Sequence, residues 1–213
     1  NSNRTLQQAP STGPVLNVLV CLLQWTNHPD RPATQPLANY EALLNGKGRD
    51  ALLYPGGSAG AFFEAMSYGD FQINFIVTDW VETTYSEDFF TQDGSRGRTE
   101  AFQQAFTPVL QYLDDDFFDF SQVDSNFDRR IDLTLFLHSG YEGVGGGPDC
   151  DTGATANQRI ASHARESADY PTNKFLSAAG YQLGAYAVAP AFRGVCDLEI
   201  GRIGVIVHEM IHT

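Results

Sequence analysis

Residues 203–213 read Ile-Gly-Val-Ile-Val-His-Glu-Met-Ile-His-Thr, an apolar run that closes on His208-Glu209-Met210-Ile211-His212. A spacing of four puts His208 and His212 on one face of a helix, where both imidazoles can reach a single zinc ion. Glu209 is offset by one residue, close enough to take a proton from water on that metal without ligating it. On so apolar a helix, two histidines and a glutamate need a partner for their polar atoms. Asp197 is the expected N-cap, with Glu199 near the positive end of the helix dipole.

A catalytic zinc normally takes three protein ligands, so two imidazoles leave one to be found. His28, His138 and His163 are candidates, each weighed against the commoner structural role of a lone histidine. His28 sits in a proline-rich loop and is expected to be exposed. His138 ends a predicted strand at the mouth of a glycine-rich loop, and His163 follows the short apolar segment Ile160-Ala161-Ser162. Glu142 and Asp149, within that loop, offer oxygens to a substrate or metal, with loop solvation the favoured reading.

Outward from this helix, the chain mixes strands and helices without segregating them. Residues 15–25 (VLNVLVCLLQW) are nearly all apolar and suit a buried central strand. Residues 26–36 carry three prolines and read as a loop; short helices are predicted over 40–44 and 59–67, and a strand over 71–77. Phe102, Phe106, Val109, Leu110 and Leu113 recur with a helical period across 97–113. Residues 131–137 predict another strand, 139–157 a long glycine-rich loop, and 186–189 a short edge strand stopped by Pro190. The fold class is therefore α/β or α+β, a mixed sheet in one domain over 15–213, preceded by a flexible leader at 1–14.

Hydrophobic residues make up 42% of the 213 and charged residues 18%, which fits a folded globular chain. The net charge of −13 argues against nucleic acid, whose phosphates would repel it, and favours a molecule that holds cations. No apolar run approaches the length of a membrane span. Asn3-Arg4-Thr5 is a formal glycosylation acceptor, a weak signal. Cys21 lies in an apolar run and reads as a small buried hydrophobe. Cys150 and Cys196 lie in polar, loop-like surroundings, and a disulfide between them is expected of an exported protein. A Cys/His zinc site is disfavoured, since no C-x-x-C spacing occurs.

Asp124-Ser125-Asn126-Phe127-Asp128-Arg129-Arg130-Ile131-Asp132 places oxygen side chains at positions 1, 3, 5 and 9 of an EF-hand-type calcium loop. Arg130 would add its backbone carbonyl. The loop departs from the type twice. Arg129 stands where glycine would make the turn cheaply, and Leu135 stands where a bidentate glutamate is usual. An Asp-rich solvated turn is the alternative. Asp114, Asp115, Asp116 and Asp119 read as a solvated helix end and only secondarily as a cation site.

Taken in order, these segments resemble the immune-inhibitor-A-like metallopeptidases, a family of secreted zincins. The resemblance is carried by the strand at 15–25 with Asp30-Arg31, Phe62 to Gly69, and Phe118-Asp119-Phe120 leading into Asp124 to Asp132. It continues through Phe136-Leu137-His138-Ser139-Gly140-Tyr141, Arg159-Ile160-Ala161-Ser162-His163, and Glu199-Ile200-Gly201-Arg202-Ile203-Gly204 before His208. The family often has tryptophan or another bulky residue where Ala161 stands. The resemblance implies a zincin-like catalytic domain of a secreted zinc endopeptidase acting on protein or peptide substrates. His208 and His212 would be ligands and Glu209 the general base. It also implies a structural calcium at Asp124, Asn126, Asp128, Arg130 and Asp132. The last zinc ligand, and other domains or chains, are expected after Thr213. The alternatives are a non-catalytic extracellular scaffold and a calcium-binding adhesion module on the same fold.

Overall fold

The computed structural model describes residues 13–166 and 175–213. The leader expected at 1–14, with its Asn3-Arg4-Thr5 acceptor, lies outside them except for Gly13 and Pro14. The apolar segment forms β1 (Val15–Gln24), and its neighbours in space are β2 (Gln72–Glu82) and β3 (Arg130–His138), both parallel to it. Beyond β3 lies β5 (Gln182–Pro190), also parallel, and β4 (His163–Glu166) closes the sheet as an antiparallel edge, in the order β2-β1-β3-β5-β4. The class is α/β. No helix among the described residues is long and apolar enough to cross a membrane.

Both faces of the sheet are covered, which is why β1 is apolar throughout rather than alternating. On one face Val18, Val20 and Leu22 pack with Leu133, Leu135 and Leu137 beneath α1 (Leu37–Asn45), α2 (Ala59–Met66) and α4 (Ile203–Ile211). On the other, Leu19, Cys21 and Leu23 meet Phe106, Val109, Leu110 and Leu113 of α3 (Phe106–Asp115). Cys21 is a buried free thiol, as its apolar setting suggests.

Three readings of the elements change. The helix expected over 97–113 is broken: residues Glu100–Ala105 wind as a 3-10 helix and α3 begins only at Phe106. In a continuous α-helix the ring of Pro108 would strike the carbonyl four residues earlier, whereas in the first turn of α3 it is tolerated. The strand seen in 186–189 runs from Gln182, and it is interior rather than an edge. Pro190 falls at its very end, where a missing N–H costs little. Asp197 does not cap the last helix. It sits with φ of 68° in the turn between β6 (Phe192–Arg193) and β7 (Glu199–Ile200), and Arg202 occupies the cap position.

Candidate functional site

The lead-in to α4 explains why its sequence is so particular. Gly201 N–H donates to Ala191 O at 2.7 Å, and a Cβ there would stand 3.1 Å from Pro190 O. Arg202 then donates to Leu52 O and Leu53 O, fixing the direction in which the helix leaves the sheet. Ile206, Val207 and Met210 face the core, and His208 and His212 are left on the exposed face. Their Nε2 atoms approach to 3.2 Å. Two nitrogens bound to one zinc at tetrahedral angles stand about 3.3–3.4 Å apart, so the pair has the spacing of adjacent ligands. The donor set therefore fits zinc with two ligands. Among the described residues no third histidine, cysteine or carboxylate joins them.

Glu209 turns back toward β4 and is buried. Burial raises its carboxyl above the usual range, and Glu142 pushes the same way, while His208, His212 and Arg98 pull it down. It lines a cleft between α4 and the start of β4, with Arg98, Ser162, His163 and Arg165 on the opposite wall. The glycine-rich loop supplies another wall through Glu142 and Val144. Glu142 is no mere solvating residue: its Oε1 accepts the Val144 and Ser162 N–H groups, and its Oε2 accepts the Ser162 hydroxyl.

His163 faces this cleft but is tied elsewhere. Its Nδ1–H donates to Ala161 O at 2.9 Å, and its ring packs edge-on against Phe102 and Tyr186. Burial holds its imidazole down at about 4. His28 is buried, against expectation, because the loop that carries it folds over the carboxyl ends of β1 and β3. There Ser139 Oγ accepts the Trp25 N–H and lies 3.2 Å from His28 Nδ1, while His28 Nε2 stands 3.6 Å from Glu87 Oε2. His138 is fully buried in the same cluster. Its Nδ1 accepts from Gly140 N–H and Trp25 Nε1–H, which puts its proton on Nε2, an atom with no partner among the described residues. Arg31 donates to Ser139 O and pairs with Asp151. The His-Ser-Gly segment is thus a buried joint between loops. Asp149, read as solvating, is buried as well, its carboxylate taken up by Thr152.

Cys150 and Cys196 are bonded, joining the glycine-rich loop to the segment ahead of β7. In the acidic loop, Asp124 is buried and its two oxygens accept the N–H groups of Asp128 and Arg129. Asn126 Oδ1 accepts from Asp128 N–H, Asp128 Oδ1 from Arg130 N–H and Asp132 Oδ2 from Ser125 N–H. Arg129 has φ of 66°, the left-handed backbone that glycine would adopt more cheaply. Asp119 accepts from Ser121 N–H, and Asp115, Asp116 and Asp119 are exposed at the end of α3. Arg98, Ser162 and Glu87 escaped the sequence reading. Glu87 stands in an acidic turn that looks solvated, and Arg98 belongs to no motif.

No family model matches the chain, and no curated protein matches it.

Proposed function

We propose that this chain carries the active-site helix of a secreted, zinc-dependent endopeptidase with a zincin-like domain. The observation that carries the reading is the convergence of His208 and His212 Nε2 at 3.2 Å, with Glu209 beside them in a cleft along the sheet edge. His208 and His212 would hold zinc, which when bound polarises the scissile carbonyl and acidifies a coordinated water. Glu209 would take a proton from water as the water oxygen adds to the carbonyl carbon. It returns the proton to the amine nitrogen as the C–N bond breaks. Among the described residues β4 has a strand partner only on its β5 side, and an extended peptide pairing along the other edge would bring a backbone carbonyl to the histidines. The disulfide supports an exported protein.

We propose further that Asp124, Asn126, Asp128 and Asp132, with the Arg130 carbonyl, hold a structural calcium ion. Hard oxygen donors are gathered on one short loop, and Asp124 is buried among them. The peptidase reading is tested by Glu209→Ala in the zinc-loaded protein. Zinc should remain stoichiometric while kcat falls by roughly 10³–10⁴. Substantial turnover in that variant would remove Glu209 from its role, and absence of zinc from the parent protein would favour the scaffold alternative.

A further inference from the structure

The cleft has two lobes. One, of about 370 Å³, runs along His163, Ala164 and Arg165 to His212. The other, of about 490 Å³, lies between Glu142, Val144 and Val205. Four residues line both and so form the waist: Arg98, Ser162, His208 and Glu209. A bond cleaved at His208 and Glu209 lies at this waist, with the substrate on either side filling a lobe. Arg98 is the cation that lines both lobes.

Its placement is built rather than incidental. Arg96 O accepts the Ala161 N–H at 3.0 Å, and Arg96 Nη1 donates to Gly143 O. Gly97, with φ of 76°, packs where a Cβ would come within 2.8 Å of Ile160. Arg98 Nη2 donates to Ser162 O at 2.9 Å. Three consecutive residues are thus stitched to the segment that enters β4. One N–H of the five on the guanidinium is held by the Ser162 carbonyl, and Arg98 stays exposed in the cleft wall. Arg98 shares the cleft wall with His163 and faces Glu209 across it. In a chain of net charge −13, a fixed guanidinium beside the metal pair is a specific feature.

We infer that Arg98 is a catalytic residue of the proposed hydrolysis, donating to the scissile carbonyl oxygen as it becomes an oxyanion. The inference rests on the peptidase reading. When water oxygen bonds to the carbonyl carbon, the C=O π pair moves onto the carbonyl oxygen and Glu209 takes the water proton. When the C–N bond breaks, that pair re-forms the C=O bond and Glu209 protonates the departing nitrogen. The guanidinium stabilises the developing charge without supplying a proton.

The experiment compares the full-length, zinc-loaded protein with Arg98→Gln and Arg98→Lys. Removing one oxyanion donor typically costs about 10²–10³ in kcat, and the metal shares this load, so Arg98→Gln should lose about 100-fold with KM nearly unchanged. Affinity for a phosphinic peptide, a tetrahedral anion, should weaken by the same factor. In a Glu209→Ala background, the Kd of the uncleaved substrate peptide should be unaffected by Arg98→Gln. Zinc stoichiometry should hold in every variant. Arg98→Lys can keep the bond to Ser162 O without the fork. It should fold like the parent and still lose turnover, which guards against a purely structural role. Unchanged kcat, or a loss confined to KM, would overturn the assignment while leaving the peptidase reading intact. A parent protein without zinc or peptidase activity would instead overturn that reading itself.

Discussion

Two clusters in this molecule are built from the same three side chains, two histidines and a glutamate, and their surroundings make them opposites. His28, His138 and Glu87 lie under the loops at the carboxyl ends of the strands, all buried, each imidazole turned toward other protein groups. His208, His212 and Glu209 lie on a helix at the sheet edge, with both imidazoles exposed and aimed at each other. In the first cluster burial decides the protonation states. Glu87 is pushed up to about 8 and His28 down to about 3, so at neutral pH both are uncharged despite standing within ion-pair distance. In the second, exposure leaves room for a metal and a substrate. Residue type alone does not make a site; convergence toward open space does.

The contrast breaks most sharply if metal binding moves to the wrong cluster. His208→Ala should abolish zinc binding and activity with little change in melting temperature. His138→Ala should keep stoichiometric zinc and lose about 3 kcal/mol of stability through its cavity and the two N–H groups left without an acceptor. Metal analysis beside thermal unfolding reads both, and zinc lost in the His138 variant alone would reverse the assignment.

Glu87→Ala comes next. Its Oε1 accepts the Ile160 N–H on the segment that leads to β4, so truncation should cost about 2–3 kcal/mol, read by denaturant unfolding. Glu87→Gln should be mild at pH 7 and instead change the pH profile. A carboxyl raised to about 8 keeps its proton in the folded chain after the unfolded chain has lost it. It therefore removes stability as pH rises from about 4.5 to 8. Arg31, Asp149 and Asp88 also act on it, the first lowering and the others raising its proton affinity. His28 and His163, lowered to about 3 and 4, act with the opposite sign: their contribution is present above about 6.5 and is lost as pH falls toward those values. Stability should therefore peak near neutrality, and Glu87→Gln should flatten the alkaline flank and steepen the rise between about 4.5 and 6.5. An unchanged flank would show Glu87 to be ionised in the fold.

The smallest effect sharpens the comparison from outside it. Millimolar calcium should raise the melting temperature by a few degrees, about 1–2 kcal/mol, and Asp128→Ala should abolish the shift. A shift that survives in that variant would place the ion elsewhere.

Much of this was legible in the sequence where physics is local. Residues 15–25 announced a strand covered on both faces, and the spacing of His208 and His212 announced a shared helix face. What escaped depended on tertiary pairing. β4 reads His-Ala-Arg-Glu, with no strand signal of its own, and exists because it pairs with β5. The first half of β5 was hidden by Gly184, which is needed because a Cβ there would collide with Ile131 O. His28 looked exposed among prolines because nothing local tells a chain that a loop folds inward. Arg98 had no signal, since its role arises from a segment that β4 draws alongside it.

The edge of β4 that has no strand partner among the described residues bears on whatever the cleft works on. Four residues offer a template about 13 Å long, and only a chain that is already extended can be laid against it. A helix or a closed sheet must first surrender its own hydrogen bonds. On the proposed reading, then, the pace at which a folded target is cut is governed by how often that target locally unfolds, and the most vulnerable proteins are those with the loosest loops.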